Sequence, residues 1–257
     1  MKFSFAAPFN RFFQLVGDNF GLFFAVGVVG LILPSLALDF GLLNYYGMTL
    51  ATLSESISTV TENPYGWYRV GAALLVSVLS IINLSMITEF AILRSVNKPV
   101  SVGAALSKAL VNILPLIGIS LSVGFIVLGG MILLIVPGII WAVATMVAVP
   151  AYVGQRGLGV SGSVTRSFEL TRGHRWVLFA VCLVALLAFM AAGGGAGYGI
   201  GLAQSGASPI VRQVLIGAET VLEGVLQIVS NIFVAAVYIA LRESKDGATP
   251  SAAAAVF

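Results

Sequence analysis

The sequence predicts an all-α membrane protein with six transmembrane helices, and three observations carry that expectation. First, 59% of its 257 residues are apolar and 9% are charged, whereas a soluble globular domain is about a quarter charged. A water-soluble fold of this size could not cover its surface with so few charges; in a bilayer the outer face must itself be apolar. Second, apolar runs long enough to cross a membrane recur along the chain. Third, the lysines and arginines fall almost entirely on one side of those runs.

The runs cover residues 20–38, 68–93, 113–136, 139–153, 176–201 and 221–241. A spanning helix needs about 20 residues at 1.5 Å rise. Only the fourth run falls a little short, which calls for less tilt or a thinner bilayer. Val136-Pro137-Gly138 reads as a tight turn that makes runs three and four a hairpin. The expectation is one integral membrane domain over 1–245, followed by a disordered tail over 246–257.

Three segments ahead of spanning runs are amphipathic. Phe5, Phe9, Phe12, Phe13 and Val16 oppose Asn10, Arg11, Gln14 and Asp18. Val102, Ala105, Leu106, Ala109 and Leu110 oppose Ser101, Ser107 and Lys108. Val160, Val164 and Phe168 oppose Thr165, Arg166 and Glu169. Each reads as a helix lying in the interface on the cytoplasmic side, apolar face down. The pattern suggests three repeats of an interfacial helix plus a helical hairpin. Phe13-Gln14-Leu15 and 22–26 align without gaps on Phe168-Glu169-Leu170 and 177–181.

With the N-terminus inside, Lys2, Arg11, Arg94, Lys98, Lys108, Arg156, Arg166, Arg172, Arg175, Arg242 and Lys245 are cytoplasmic, and only Arg69 and Arg212 are outside. This bias favours both termini in the cytoplasm. Asp39, Glu55 and Glu62 fall in the first outer loop, where acids are tolerated. Trp67, Tyr68, Trp141, Tyr198 and Trp176 fit an aromatic belt. Arg11, Gln14 and Asp18 interrupt any signal-peptide core. The net charge of +3 comes without a dense basic run, so no nucleic-acid partner is expected. One cysteine, Cys182, excludes an intrachain disulfide and a cysteine-based zinc site. The expected partners are membrane lipids, with a membrane protein as a further partner, and no cofactor or metal.

Polar residues inside spans are the candidates for function, because they are costly there. Glu223, Gln227 and Asn231 follow Glu219 at intervals of four on the last helix. They could line a path for a small solute or proton; bonding across the bundle is the favoured reading. Glu89 reads as an acid near the inner interface, paired with Arg94 or Lys98, rather than as a proton-coupling group. The stretch 157–162 matches G-x-G-x-x-G, but a spanning run precedes it where a nucleotide fold needs a strand. A linker is the favoured reading, and a lipid phosphate at the following helix, helped by Arg156 and Arg166, the weaker one. Gly193/Gly197/Gly201 and Gly195/Gly199 read as close helix packing. His174, the single histidine, rules out a histidine pair for zinc; beside Gly173 and Arg175 in the basic inner loop it reads as an interfacial basic residue rather than the base of a triad, and no enzyme is expected.

Pro137, Gly138, Ile139, Trp141 and Pro150, followed by Arg166, Ser167, Leu170, Gly173 and Trp176, form a pattern over residues 135–181. It resembles the bacterial multi-pass family described as glycerophosphodiester phosphodiesterase membrane domains, over about 112–241. The resemblance implies membrane location and fold. It does not imply phosphodiesterase activity, because the catalytic barrel that some members carry is absent from this chain. The family pattern's acid after the second proline is replaced here by Gln155 and Arg156. Arg166 and Ser167 join the binding candidates. The expected function is a non-enzymatic inner-membrane component that interacts with lipid or protein. The alternatives are a small-solute transporter or channel, and a membrane accessory to a lipid-active enzyme.

Overall fold

In a computed structural model the protein is an all-α, multi-pass membrane protein. The structure describes residues 3–46, 66–96, 98–155 and 157–247. The expectations for Lys2, Glu55, Glu62, Arg156 and the tail beyond Gly247 lie outside these residues. Six helical stretches are long and apolar enough to span a membrane: Ala6–Leu42, Val70–Arg94, Ile113–Leu133, Ile135–Gly154, Arg175–Gln204 and Pro209–Asp246.

The chain starts with α1 (Ala6–Gly27), which is broken at Asn19 (φ −140°, ψ 19°). The break separates the amphipathic segment from the first apolar run. The expected apolar face of that segment is divided. Phe9 and Phe12 pack against Phe233 in tilted and edge-to-face arrangements, with ring centroids 5.6 and 5.9 Å away, while Phe5 and Phe13 are exposed. A π-helical turn, Val28–Ile32, leads into α2 (Leu33–Tyr46). Widened turns of this kind re-aim a helix. Here the turn lies where the chain packs tightly on the last helix. A Cβ on Gly27 would overlap Ile228, and one on Gly224 would lie 2.5 Å from Ile32 Cγ1. Asp39 sits inside a helix, not in a loop.

The next elements are α3 (Gly66–Arg94) and the short α4 (Val102–Val111). Ser101 caps α4, its side chain accepting from the Ala104 N–H. Ala105 and Ala109 turn the small side of α4 to the protein, and Val102, Leu106 and Leu110 stay exposed.

Next, α5 (Ile113–Leu133) and α6 (Ile135–Thr145) form the expected hairpin, but the reversal falls on extended Leu134 (φ −166°, ψ 151°). Pro137 and Gly138 are not the turn; they lie in the first turns of α6. Proline is harmless there because no intrahelical acceptor waits for its N–H. Gly138 serves helix packing instead. An added Cβ would lie 2.9 Å from Met131 N, so the glycine lets the two backbones close.

The fourth span is two helices, α6 and α7 (Ala148–Gly154), with a break at Met146 and Val147. Polar backbone freed in a span must find a partner. Ser167 donates to the Ala144 carbonyl at 2.8 Å, and Thr171 reaches the same oxygen at 3.4 Å. Both hydroxyls come from α8 (Gly159–Thr171). The apolar residues of α8 are not laid against lipid. Val164, with Val160 and Phe168, packs into a core of Leu116, Ile119, Ala148 and Val149.

The last two helices are α9 (Arg175–Gln204) and α10 (Pro209–Asp246). In the glycine-rich part of α9, only Gly193 meets a neighbour, Leu226, among the described residues. Gly194, Gly195, Gly197, Gly199 and Gly201 have no non-local atom near a would-be Cβ, so the expected close packing does not occur within the described chain.

The described chain packs as two units. The first takes the described residues within 3–23, 81–187 and 229–247, and the second those within 24–80 and 188–228.

Candidate functional site

The first unit holds an open cavity of about 520 Å³ lined by Ser85, Glu89, Lys108, Asn112, Tyr152 and Gln155, with Gly157, Gly159 and Val160 on one wall. Each group is placed by a helix end. Ser85 and Glu89 lie one turn apart near the C-terminus of α3. Lys108 closes α4, and Asn112 stands between α4 and α5. Tyr152 and Gln155 end α7, and Gly159 starts α8.

The two charged groups of the described lining are in contact. Glu89, only 6% exposed, accepts from Lys108 Nζ at 2.8 Å on Oε1, and Lys108 itself is half exposed. Lys108, 19 residues away in sequence, is a partner of Glu89 beyond the expected Arg94 and Lys98. Tyr152 donates its hydroxyl to Asn112 Oδ1 at 2.8 Å, which joins α7 to the start of α5. On the α8 wall, Gly157 and Gly159 adopt positive φ (79° and 62°), so the G-x-G stretch is a glycine turn into a helix. Leu158, the residue before α8, offers no side-chain cap, so the first-turn N–H groups of α8 keep their partial positive charge beside the cavity.

Next to this cavity, α8 is tied to the end of α10. Arg166 bonds Gln155, Glu169 and Asp246. Burial alone would lower the Arg166 pKa, but the two carboxylates outweigh it and raise it. Arg242 donates to the Gly154 carbonyl at 2.9 Å, and Arg11 pairs with Glu243. Arg166 and Ser167 thus serve helix packing in this structure. His174 stacks on Phe3, with centroids 5.2 Å apart; burial, helped by the charge of Lys245, lowers its pKa.

The second unit holds a smaller cavity of about 270 Å³, lined by Ser35, Asp39, Ser77, Ser80, Thr220, Glu223 and Gln227 among others. Thr220 donates to Asp39 Oδ2 at 2.6 Å, and Asp39 is 4% exposed.

The stripe read from the last helix is therefore split. Glu223 and Gln227 line the cavity of the second unit. Asn231 is buried in the first unit, where its amide donates to Asn83 Oδ1 at 3.2 Å. Asn231 thus bonds across to another helix, while Glu223 and Gln227 border a cavity. Glu89 keeps its place as a candidate.

Sequence reading missed Lys108, Asn112, Tyr152 and Asp39 as cavity groups. Asp39 carried a signal: Ser35 precedes it by one helical turn, so an unbroken helix puts both on one face. The chain matches no protein-family model, no curated protein and no solved structure.

Proposed function

We propose that the protein is a non-enzymatic component of the bacterial inner membrane that binds phospholipid headgroups in the cavity of its first unit. The observation that carries this reading is the cavity's depth. Lys108 and Asn112 stand just before the span Ile113–Leu133, Gln155 and Gly157 just after Ile135–Gly154, and Glu89 near the end of Val70–Arg94. Three span ends on one side of the membrane surround it, which is headgroup level. Beside it, Val102, Leu106, Leu110, Val111 and Leu114 are exposed, an apolar flank suited to acyl chains. Lys108 and the first turn of α8 supply positive charge for a phosphate. The basic bias of the connecting segments supports placing this side, with both termini, in the cytoplasm.

Two experiments test this. The full-length protein, purified in mild detergent, should retain phospholipid, and Lys108→Gln should lower the retained amount; equal retention by the variant counts against the site. For orientation, a cysteine placed at Ser161 in a Cys182→Ala background should react only after cell lysis, and one at Ser205 in intact spheroplasts. The opposite pattern would reverse the topology.

The cavity of the second unit gives the transport alternative its one specific support, since it gathers Glu223, Gln227 and Asp39. Unchanged solute flux in Glu223→Gln proteoliposomes would remove that alternative.

A further inference from the structure

We infer that the headgroup cavity of the first unit selects a zwitterionic aminophospholipid, one carrying a primary ammonium and a phosphodiester. This rests on the lipid-binding reading above and adds a specificity to it.

The basis is charge balance. A phosphate-only site would be expected to gather cations, yet this one holds a carboxylate that is nine-tenths buried. Glu89 and Lys108 already neutralise each other. A ligand of net charge −1 or +1 would leave a surplus charge in a half-buried site, where that is costly. Among the described lining residues a zwitterion leaves none: its phosphate takes Lys108 and the first turn of α8, and its ammonium shares the Glu89 carboxylate. Lys108 bonds Oε1 of Glu89, and the carboxylate lines the cavity together with Ser85, one turn away on α3. A carboxylate has two oxygens and about four acceptor sites, so a second cation can share it.

The neighbours favour an ammonium that can donate. Ser85, Asn112 and Tyr152 bring oxygens to the lining around the acid, each able to accept an N–H. A quaternary ammonium has no N–H to give. Its recognition calls for aromatic faces, and Tyr152 is the one aromatic ring among the described lining residues. The discrimination is therefore against added methyl groups as well as against missing charge.

The test uses the full-length protein in nanodiscs of phosphatidylethanolamine, phosphatidylcholine and phosphatidylglycerol in equal amounts, read by native mass spectrometry of the lipids kept on release. The wild type should keep phosphatidylethanolamine over each of the others by about tenfold, the order expected for one charge-assisted hydrogen bond. Glu89→Gln should bring that ratio close to one while keeping its thermal transition. The wild-type ratio needs no variant, so misfolding of the variant cannot hide the answer.

Lipid retained without that order, or with phosphatidylglycerol first, overturns the selectivity and leaves lipid binding standing. No lipid retained beyond a loose annulus overturns both. O-phosphoethanolamine in solution should compete only weakly; if it binds as tightly as the lipid does, the ligand is a soluble zwitterion and the lipid reading falls.

Discussion

Replacing Gly138 by alanine tests the hairpin that builds the wall of the first unit. An ideal Cβ at Gly138 would lie 2.5 Å from Met131 Cγ, 2.9 Å from Met131 N and 3.0 Å from Met131 Cα. The methionine side chain can move aside, but its backbone cannot. The approach is mutual, since a Cβ at Gly130 would lie 2.8 Å from Gly138 Cα and 2.7 Å from Trp141 Cε3. Alanine at Gly138 must therefore push α5 and α6 apart. Overpacking of this kind costs about 1–3 kcal/mol. Alanine also returns up to about 1 kcal/mol of helix propensity, which has to be subtracted. Gly129→Ala supplies the correction, because it lies in the same hairpin with nothing within 4 Å of its Cβ position. It should be neutral or slightly stabilising. The gap between the two variants is then the packing cost itself, about 1–3 kcal/mol. Reversible unfolding in mixed micelles, followed by Trp fluorescence, measures that gap. If Gly138→Ala proves as stable as Gly129→Ala, the two backbones do not make this contact and the packing account of the hairpin is refuted.

Three further outcomes are expected. Ser167→Ala removes the hydroxyl that donates to Ala144 O at the break of the fourth span, and should cost about 1 kcal/mol; exposed Thr165→Ala on the same helix should cost nothing measurable by the same melt. A double-mutant cycle on Asn83 and Asn231 should give a coupling of about 0.6 kcal/mol, typical of interhelical hydrogen bonds in membranes, and a coupling of zero would make the contact incidental. Burial holds the His174 pKa below its ordinary value of 6.5. The unfolded chain then binds the proton more readily, so stability falls as pH drops from 6.5 through the folded-state pKa and is flat above. Melting temperatures of wild type and His174→Gln between pH 5 and 8 should diverge only at the acid end.

Sequence alone reached the architecture because membrane insertion is a one-dimensional constraint. Any helix that crosses hydrocarbon must be apolar along its length, and this leaves a run that can be counted. The six runs and the hairpin between the third and fourth were legible for that reason. The last helix was underestimated: α10 runs from Pro209 to Asp246, because Glu219 and Thr220 do not stop a helix that has polar company around it.

Partners were the part that could not be read. Glu89 was visible as an acid near an interface, but proximity in sequence nominated Arg94 and Lys98, and only folding brought Lys108 to it. Asp39 ended an apolar run and so read as loop; tertiary structure continued the helix and gave the carboxylate Thr220. The four-residue period on α10 put Glu223, Gln227 and Asn231 on one face, yet a face does not specify what it meets. Asn231 met Asn83, and the other two met a cavity. Composition and period thus determined that this chain lives in a membrane and how often it crosses, because those depend on each helix and the lipid. Which polar groups share a site was decided only by folding, because such contacts join residues that the sequence holds far apart.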